Sequence, residues 1–175
     1  FGLVLGELDV VAAAVFALDR GISVAQIGNA GALSYTTGYL DLFGYENGRA
    51  VGTPLDALER LRVTSPDHPL ARLSTQKIER ALGRFVEALG EFGIAYSAPG
   101  TANVRALLPT GLSKPTASVP MTMMPGVDAL ASGRKALIVD FHGLAGFSAK
   151  EFAANFRSAW PAPNTPRAGS PDMAP

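Results

Sequence analysis

A strand–helix–strand pattern in residues 1–27 restricts the folds open to this chain. Residues 1–5 (FGLVL) are continuously apolar up to Gly6, which is typical of a strand buried on both faces. Residues 10–20 (VVAAAVFALDR) predict a buried helix that ends at Gly21, and residues 22–27 (ISVAQI) predict a second strand. Because such units are right-handed with parallel strands, the sequence predicts an α/β fold, with a Rossmann-like parallel sheet and helices on both faces.

The later part of the chain adds further elements of an α/β fold. A long amphipathic helix is predicted from a cap at Ser74, because apolar residues recur every three or four positions; they are Ile78, Leu82, Phe85, Val86 and Leu89. Residues 94–97 and 103–108 are candidates for short strands. Residues 134–140 (RKALIVD) predict a further parallel strand, and a helix capped by Ser148 is expected to follow it.

Composition excludes several classes of function. The 15 Lys and Arg residues balance 15 Asp and Glu residues, so the chain does not have the positive charge of a general nucleic-acid binder. It contains no cysteine, which excludes disulfides and thiolate metal sites. No apolar run approaches the roughly 18–20 residues of a spanning helix, so we expect a cytoplasmic chain with no direct membrane insertion.

Residues 6–11 (GELDVV) stand where a dinucleotide-binding fold has its glycine-rich turn. Gly6 is present, but apolar residues occupy the positions of the other two glycines. Glu7 and Asp9 put negative charge at the helix N-terminus, where it stabilises the helix and repels a phosphate. Asn29 follows the predicted second strand, where an acidic residue usually binds the ribose. The sequence therefore leaves two interpretations: an adenine-dinucleotide site or a purely structural βαβ unit.

A hydroxyl-rich segment (GALSYTTG) begins at Gly31 and ends at Gly38. Ser34, Thr36 and Thr37 lie between these glycines. Hydroxyls and backbone N–H groups in such a segment can face a phosphate or the edge of a flavin. A turn followed by a short helix is the structural alternative.

Lys114 stands in a second hydroxyl-rich segment, residues 110–116 (TGLSKPT). Its ammonium group is a suitable point charge for a phosphate. The structural alternative is a solvated turn, in which the lysine has no ligand.

Asp140 and His142 follow the predicted strand at 134–140, at the end where α/β proteins place functional groups. His142 is a candidate general base that takes a proton from a substrate hydroxyl, with Asp140 orienting the imidazole. Asp140 capping a turn is the alternative interpretation. The only other histidine is His68, and neither has a carboxylate at metal-ligand spacing, so the sequence predicts no metal site.

The order and spacing of these segments resemble the B subunit of anaerobic glycerol-3-phosphate dehydrogenase, a flavoprotein partner of a catalytic A subunit. The matching segments are residues 31–45 (GALSYTTGYLDLFGY), 54–59 (PLDALE) with 67–69 (DHP), 74–93, 108–116 (LPTGLSKPT) and 139–149 (VDFHGLAGFSA). The first and last of them are the most specific. Full members of the family are much longer, so the resemblance is to an N-terminal portion. It implies an exposed apolar surface where the remainder would pack.

The resemblance implies that a flavin, FMN or FAD, takes part in oxidising sn-glycerol 3-phosphate to dihydroxyacetone phosphate. Electrons would pass to a membrane-anchor subunit and the quinone pool, with the chain peripheral to the inner membrane through its partner subunits. The candidate cofactor-binding residues are Gly6, Asn29, Gly31, Ser34, Thr36, Thr37, Gly38 and Lys114, and the candidate catalytic residues are His142 and Asp140. The chain departs from the family at its incomplete glycine turn.

Two hypotheses follow for the chain as a unit. One is a Rossmann-like flavoprotein domain over residues 1–160, with an inserted region at about residues 94–133. The other is a structural or interaction subunit that keeps a degenerate dinucleotide-binding scaffold and holds no cofactor. In both, residues 161–175 contain five prolines and form an extended tail.

Overall fold

Helices and short paired strands alternate along the chain. The computed structural model describes residues 7–25, 37–133, 135–143, 145–157 and 167–169. The α-helices among them are α1 (Glu7–Leu18), α2 (Pro54–Thr64), α3 (Thr75–Glu91), α4 (Met124–Ser132) and α5 (Ala149–Phe156). Short 3-10 helices at Pro69–Arg72 and Met121–Met123 precede α3 and α4. The structure is therefore of mixed α/β character, as the sequence predicts.

Strands pair two by two in the described part of the chain. The antiparallel pairs are β1 (Tyr45–Glu46) with β2 (Arg49–Ala50), and β3 (Val104–Leu107) with β4 (Ser113–Thr116). The parallel pair is β5 (Leu137–Val139) with β6 (Arg167–Gly169). These small sheets do not by themselves make the predicted Rossmann-like parallel sheet. The first predicted strand, residues 1–5, lies outside the described residues.

Residues 22–25, where the sequence predicts the start of the second strand, have no regular structure. Gly21 has a φ of 69° and donates its N–H to Leu18 O, while the N–H of Ile22 bonds to Ala17 O. This pair of bonds is a Schellman cap, which ties Ile22 to the end of α1. The prediction that Gly21 caps the helix is confirmed.

The predicted amphipathic helix is confirmed as α3. The Ser74 hydroxyl accepts a hydrogen bond from the N–H of Lys77 at 3.3 Å and caps the first turn. The apolar face packs against α1 and against side chains from outside the helix; its buried members are Ile78, Phe85, Ala88 and Leu89. On the outer side, Arg84 donates to both carboxylate oxygens of Asp19, at 2.7 and 2.8 Å, and this hydrogen bonding lowers the pKa of Asp19.

Residues 116–120 run through the centre of the described structure. Leu40 exchanges backbone hydrogen bonds with Ser118 on one side of this segment. Ser97 donates its N–H to Val119 O on the other side, at 2.8 Å. Thr116 and Ser118 have no exposed surface, and their hydroxyls donate to Leu40 O and Ser97 O. Each of these two buried hydroxyls is thus satisfied within the protein.

A separate apolar cluster joins the C-terminal elements. Leu130 of α4 and the rings of Phe152 and Phe156 of α5 form its buried part, and Ile138 of β5 packs against them. Residues Arg167–Gly169, within the segment predicted as a proline-rich tail, form β6 and pair with β5. Leu137 is 67% exposed and lies on the opposite face of β5 from Ile138. The strand therefore presents apolar surface on the side away from α5.

Replacing Gly111 with alanine is expected to destabilise the protein by roughly 2–4 kcal/mol. Gly111 has a φ of 84°, and a Cβ there would clash with the backbone carbonyl of Phe152. Gly83→Ala is the matched control, because Gly83 lies within α3 with open space around it. That change should stabilise the protein by about 0.5–1 kcal/mol. Chemical denaturation measures both, and equal effects of the two substitutions would contradict the close approach of α5 to the β3–β4 turn.

Candidate functional site

Residues 37–41 are the described end of the hydroxyl-rich segment. Gly38 has a φ of 69°, and its carbonyl accepts a hydrogen bond from the Tyr96 hydroxyl at 2.6 Å. The turn favours glycine for this backbone angle, whereas a Cβ at Gly38 would only make van der Waals contact with that hydroxyl, at 3.4 Å. The Thr37 hydroxyl accepts from the N–H of Tyr39 at 3.4 Å, which leaves its own proton for another acceptor.

Lys114 reaches the same segment from strand β4. Its Nζ lies 2.5 Å from Asp41 Oδ2 and 5.4 Å from the centre of the Tyr39 ring. Tyr39 is held in turn by its hydroxyl, which donates to Leu107 O at 2.5 Å, and burial raises the pKa of this phenol. The lysine is therefore held in place and is not part of a solvated turn.

Of the predicted cofactor-binding residues, Lys114 contacts the segment that contains Thr37 and Gly38, through Asp41 and Tyr39. A lysine ammonium group and a threonine hydroxyl are both groups that can bind a phosphate. Asp41 already neutralises much of the Lys114 charge, so an anion here would compete with the carboxylate. The other predicted residues, Gly6, Asn29, Gly31, Ser34 and Thr36, lie outside the described residues.

Asp140 and His142 follow β5 in the chain. Asp140 Oδ2 accepts a hydrogen bond from the N–H of Ala149, the first residue of α5, at 2.7 Å. Ser148 caps the same helix by accepting from Glu151 N at 3.2 Å, which confirms the predicted cap. The structure thus shows the local capping role of Asp140.

His142 is exposed in the turn that precedes α5. In the part of the chain that the structure describes, no hydrogen bond joins His142 to Asp140, so the proposed orienting contact is not formed there. The catalytic roles of the two residues stay predictions.

Asp41 and Tyr39 are site residues that sequence reasoning missed. They meet Lys114 across 73 and 75 positions of the chain, and nothing in the local sequence pairs them. Asn103 was missed as well. Its amide nitrogen donates to Phe43 O and Val51 O and fastens the β1–β2 hairpin.

The described residues show neither a metal centre nor a membrane-spanning helix. Among them, no group of three or more His, Asp or Glu side chains is placed to hold a metal ion. Likewise, no helix in the described ranges is both long and apolar enough to cross a membrane.

Two curated proteins similar to this chain share one name, which describes each as the B subunit of anaerobic glycerol-3-phosphate dehydrogenase. The protein from Yersinia enterocolitica is 31% identical over 101 residues, which cover 54% of this chain and 24% of that protein. The one from Aliivibrio fischeri is 28% identical over 114 residues, or 63% of this chain and 25% of that protein. The chain spans about a quarter of the length of these relatives. No protein-family model matches the chain, and no solved structure matches it significantly.

Removing the Asp140 carboxylate is expected to weaken the start of α5. Asp140→Ala should lower the free energy of unfolding by about 1 kcal/mol, because the N–H of Ala149 loses its acceptor. Asp140→Asn keeps an acceptor oxygen and should retain most of that stability. Urea denaturation of both variants is the measurement. An alanine variant as stable as the parent would contradict the capping role.

Proposed function

We propose that this chain is part of the B subunit of a flavin-dependent anaerobic glycerol-3-phosphate dehydrogenase. The observation that carries the proposal is the shared name of the two relatives, which agrees with the family resemblance of the sequence motifs. Because the chain spans about a quarter of their length, the activity, substrate and partners of the whole protein are part of the proposal.

The fold we propose is Rossmann-like. The parallel pair of β5 and β6, with the apolar face of α5 against β5, supports this. Parallel sheets are almost always covered on both faces, whereas Leu137 is largely exposed on the second face of β5. Additional strands and helices from the rest of the chain would extend the sheet and cover this face.

Thr37 and Lys114 are the described residues proposed to hold the phosphate of FMN or FAD, with the backbone at Gly38 beside them. The fit rests on the donor set: a half-buried ammonium group and a hydroxyl whose proton is not used by Tyr39. A bound flavin supplies the two-electron acceptor that oxidation of an alcohol requires.

His142 is proposed as the base that takes the hydroxyl proton of sn-glycerol 3-phosphate as dihydroxyacetone phosphate forms. Its exposure lets a substrate reach the imidazole, and histidine is the side chain best suited to proton transfer near neutral pH. Asp140 is proposed to orient it. That role requires a rearrangement in which the carboxylate contacts the imidazole while keeping its bond to α5.

The partners in this proposal are a catalytic A subunit and a membrane-anchor subunit, through which electrons reach the quinone pool. The word "subunit" in the names of both relatives supports assembly with other chains. The proposed location is cytoplasmic and peripheral to the inner membrane.

A cofactor-free interaction subunit is the second candidate function. The observation that favours it is the use of two candidate site residues in structural contacts: Lys114 binds Asp41, and Asp140 caps α5. Flavin binding distinguishes the two candidates.

Substitutions at the Lys114–Asp41 pair should change flavin affinity in opposite directions. Lys114→Met removes the cation and should weaken FMN or FAD binding roughly tenfold, the equivalent of one charge-assisted hydrogen bond. Asp41→Asn removes the competing carboxylate and should strengthen binding. The measurement is titration of the purified chain with each flavin, followed by the shift of the flavin absorbance bands.

Lys135→Met is the matched control, because Lys135 is an exposed lysine close to β5. It should bind flavin as the parent does. A parent chain that takes up neither flavin would favour the cofactor-free subunit, and parallel losses in Lys114→Met and Asp41→Asn would contradict the phosphate site at this pair.

A further inference from the structure

A groove of about 1160 Å³ lies between α1 and α3. Its apolar lining comes from both helices, from residue 42 and from the 3-10 helix at Pro69–Arg72; the larger side chains are Phe16, Leu42, Leu70, Ile78, Leu82 and Phe85. Ile78 and Phe85 are almost fully buried and form the floor, whereas Leu73 at the edge is 45% exposed. The groove is therefore apolar inside and accessible from solvent.

The charged residues of the groove are mostly cationic. Arg20, Lys77, Arg80 and Arg84 line it together with one acidic residue, Asp19. Asp19 is paired with Arg84, and Arg84 also contacts Glu87 and Glu91 on the side away from the lining. In the described residues, Lys77 and Arg80 have no ion pair. The groove thus combines an apolar interior with positive charge at its rim.

The dimensions of the groove match a helix. The lining residues of α3 run from Lys77 to Phe85, which is about 12 Å of helix at the usual rise per residue. Two turns of a helix about 10–12 Å across occupy roughly 1000 Å³. Small-molecule sites place a few polar groups deep in an apolar pocket, but here the charged groups stand at the rim.

We propose that this groove binds an amphipathic helix of a partner protein, with an apolar stripe flanked by Asp and Glu. Apolar residues of the partner at positions i, i+4 and i+7 would lie on Ile78 and Phe85, and its acidic residues would face Lys77 and Arg80. The concave shape favours a helix over a flat membrane surface, which protruding apolar side chains would enter more easily. This inference goes beyond the proposed function and does not depend on flavin.

The test uses a fluorescently labelled synthetic helical peptide with a leucine stripe and glutamates on both sides of it. A second peptide carries lysine in place of each glutamate. The full chain should bind the glutamate peptide at least about tenfold more tightly than the lysine peptide, measured by fluorescence anisotropy. The difference should shrink as salt is added, because the charges at the rim are exposed.

Charge reversal in the groove provides the decisive comparison. The double variant Lys77→Glu and Arg80→Glu changes two exposed positions on α3 and should bind the lysine peptide more tightly than the glutamate peptide. The matched control is Lys150→Glu with Arg157→Glu, which makes the same change in net charge on and just after α5. This control should keep the preference of the parent. Ala81→Trp fills the groove from an exposed position and should weaken the binding of both peptides.

Three results would overturn the proposal. One is equal binding of the two peptides by the parent chain, and another is a preference that the control pair alters as much as the groove pair does. The third is a parent chain that binds neither peptide but binds vesicles of anionic lipid, together with a loss of vesicle binding in the Lys77→Glu and Arg80→Glu variant. Flavin absorbance is a separate readout. A failure of peptide binding therefore leaves the proposed function intact, and a failure of flavin binding leaves the groove proposal intact.

Discussion

Buried hydrogen bonds along residues 116–119 hold together segments that are far apart in the sequence. Leu40 bonds to one side of this segment and Ser97 to the other, and the fully buried residues Thr116 and Ser118 donate their hydroxyls to Leu40 O and Ser97 O. An unsatisfied buried polar group costs about 1–3 kcal/mol, so a change that leaves either buried hydroxyl without an acceptor destabilises the fold. These hydrogen bonds join the segments at Leu40 and Ser97 through one buried centre.

The same centre positions the candidate flavin site. Leu40 lies between Tyr39 and Asp41, the two residues that contact Lys114, and Lys114 itself is two positions before Thr116. The site is therefore built directly on the most buried backbone of the described structure, with the Tyr96 hydroxyl fixing the turn at Gly38. The groove between α1 and α3 is lined in part by Ala12, Leu82 and Phe85, which also belong to the cluster that contains Leu40. One scaffold thus supports both the candidate flavin site and the groove.

Local patterns in the sequence predicted the features that depend on interactions between residues close together in the chain. The caps at Gly21, Ser74 and Ser148 and the apolar face of α3 depend on neighbouring residues, and the structure confirms them. Pairings between distant residues were not predictable in this way. Lys114 meets Asp41, and β5 pairs with a strand in the proline-rich tail, because the folded chain brings them together. For Asp140, the local sequence was compatible with two roles. Its position after a strand suited both catalysis and capping, and only the structure shows the hydrogen bond from Ala149.

The most direct measurement is the response of flavin to substrate in the complex of this protein with its partners. The complex would be purified intact, and its flavin absorbance recorded without oxygen as sn-glycerol 3-phosphate is added. A flavin-dependent glycerol-3-phosphate dehydrogenase predicts that the flavin bands bleach and that a quinone analogue restores them. A complex whose bound flavin does not respond to sn-glycerol 3-phosphate, or one that holds no flavin, would contradict the proposed activity.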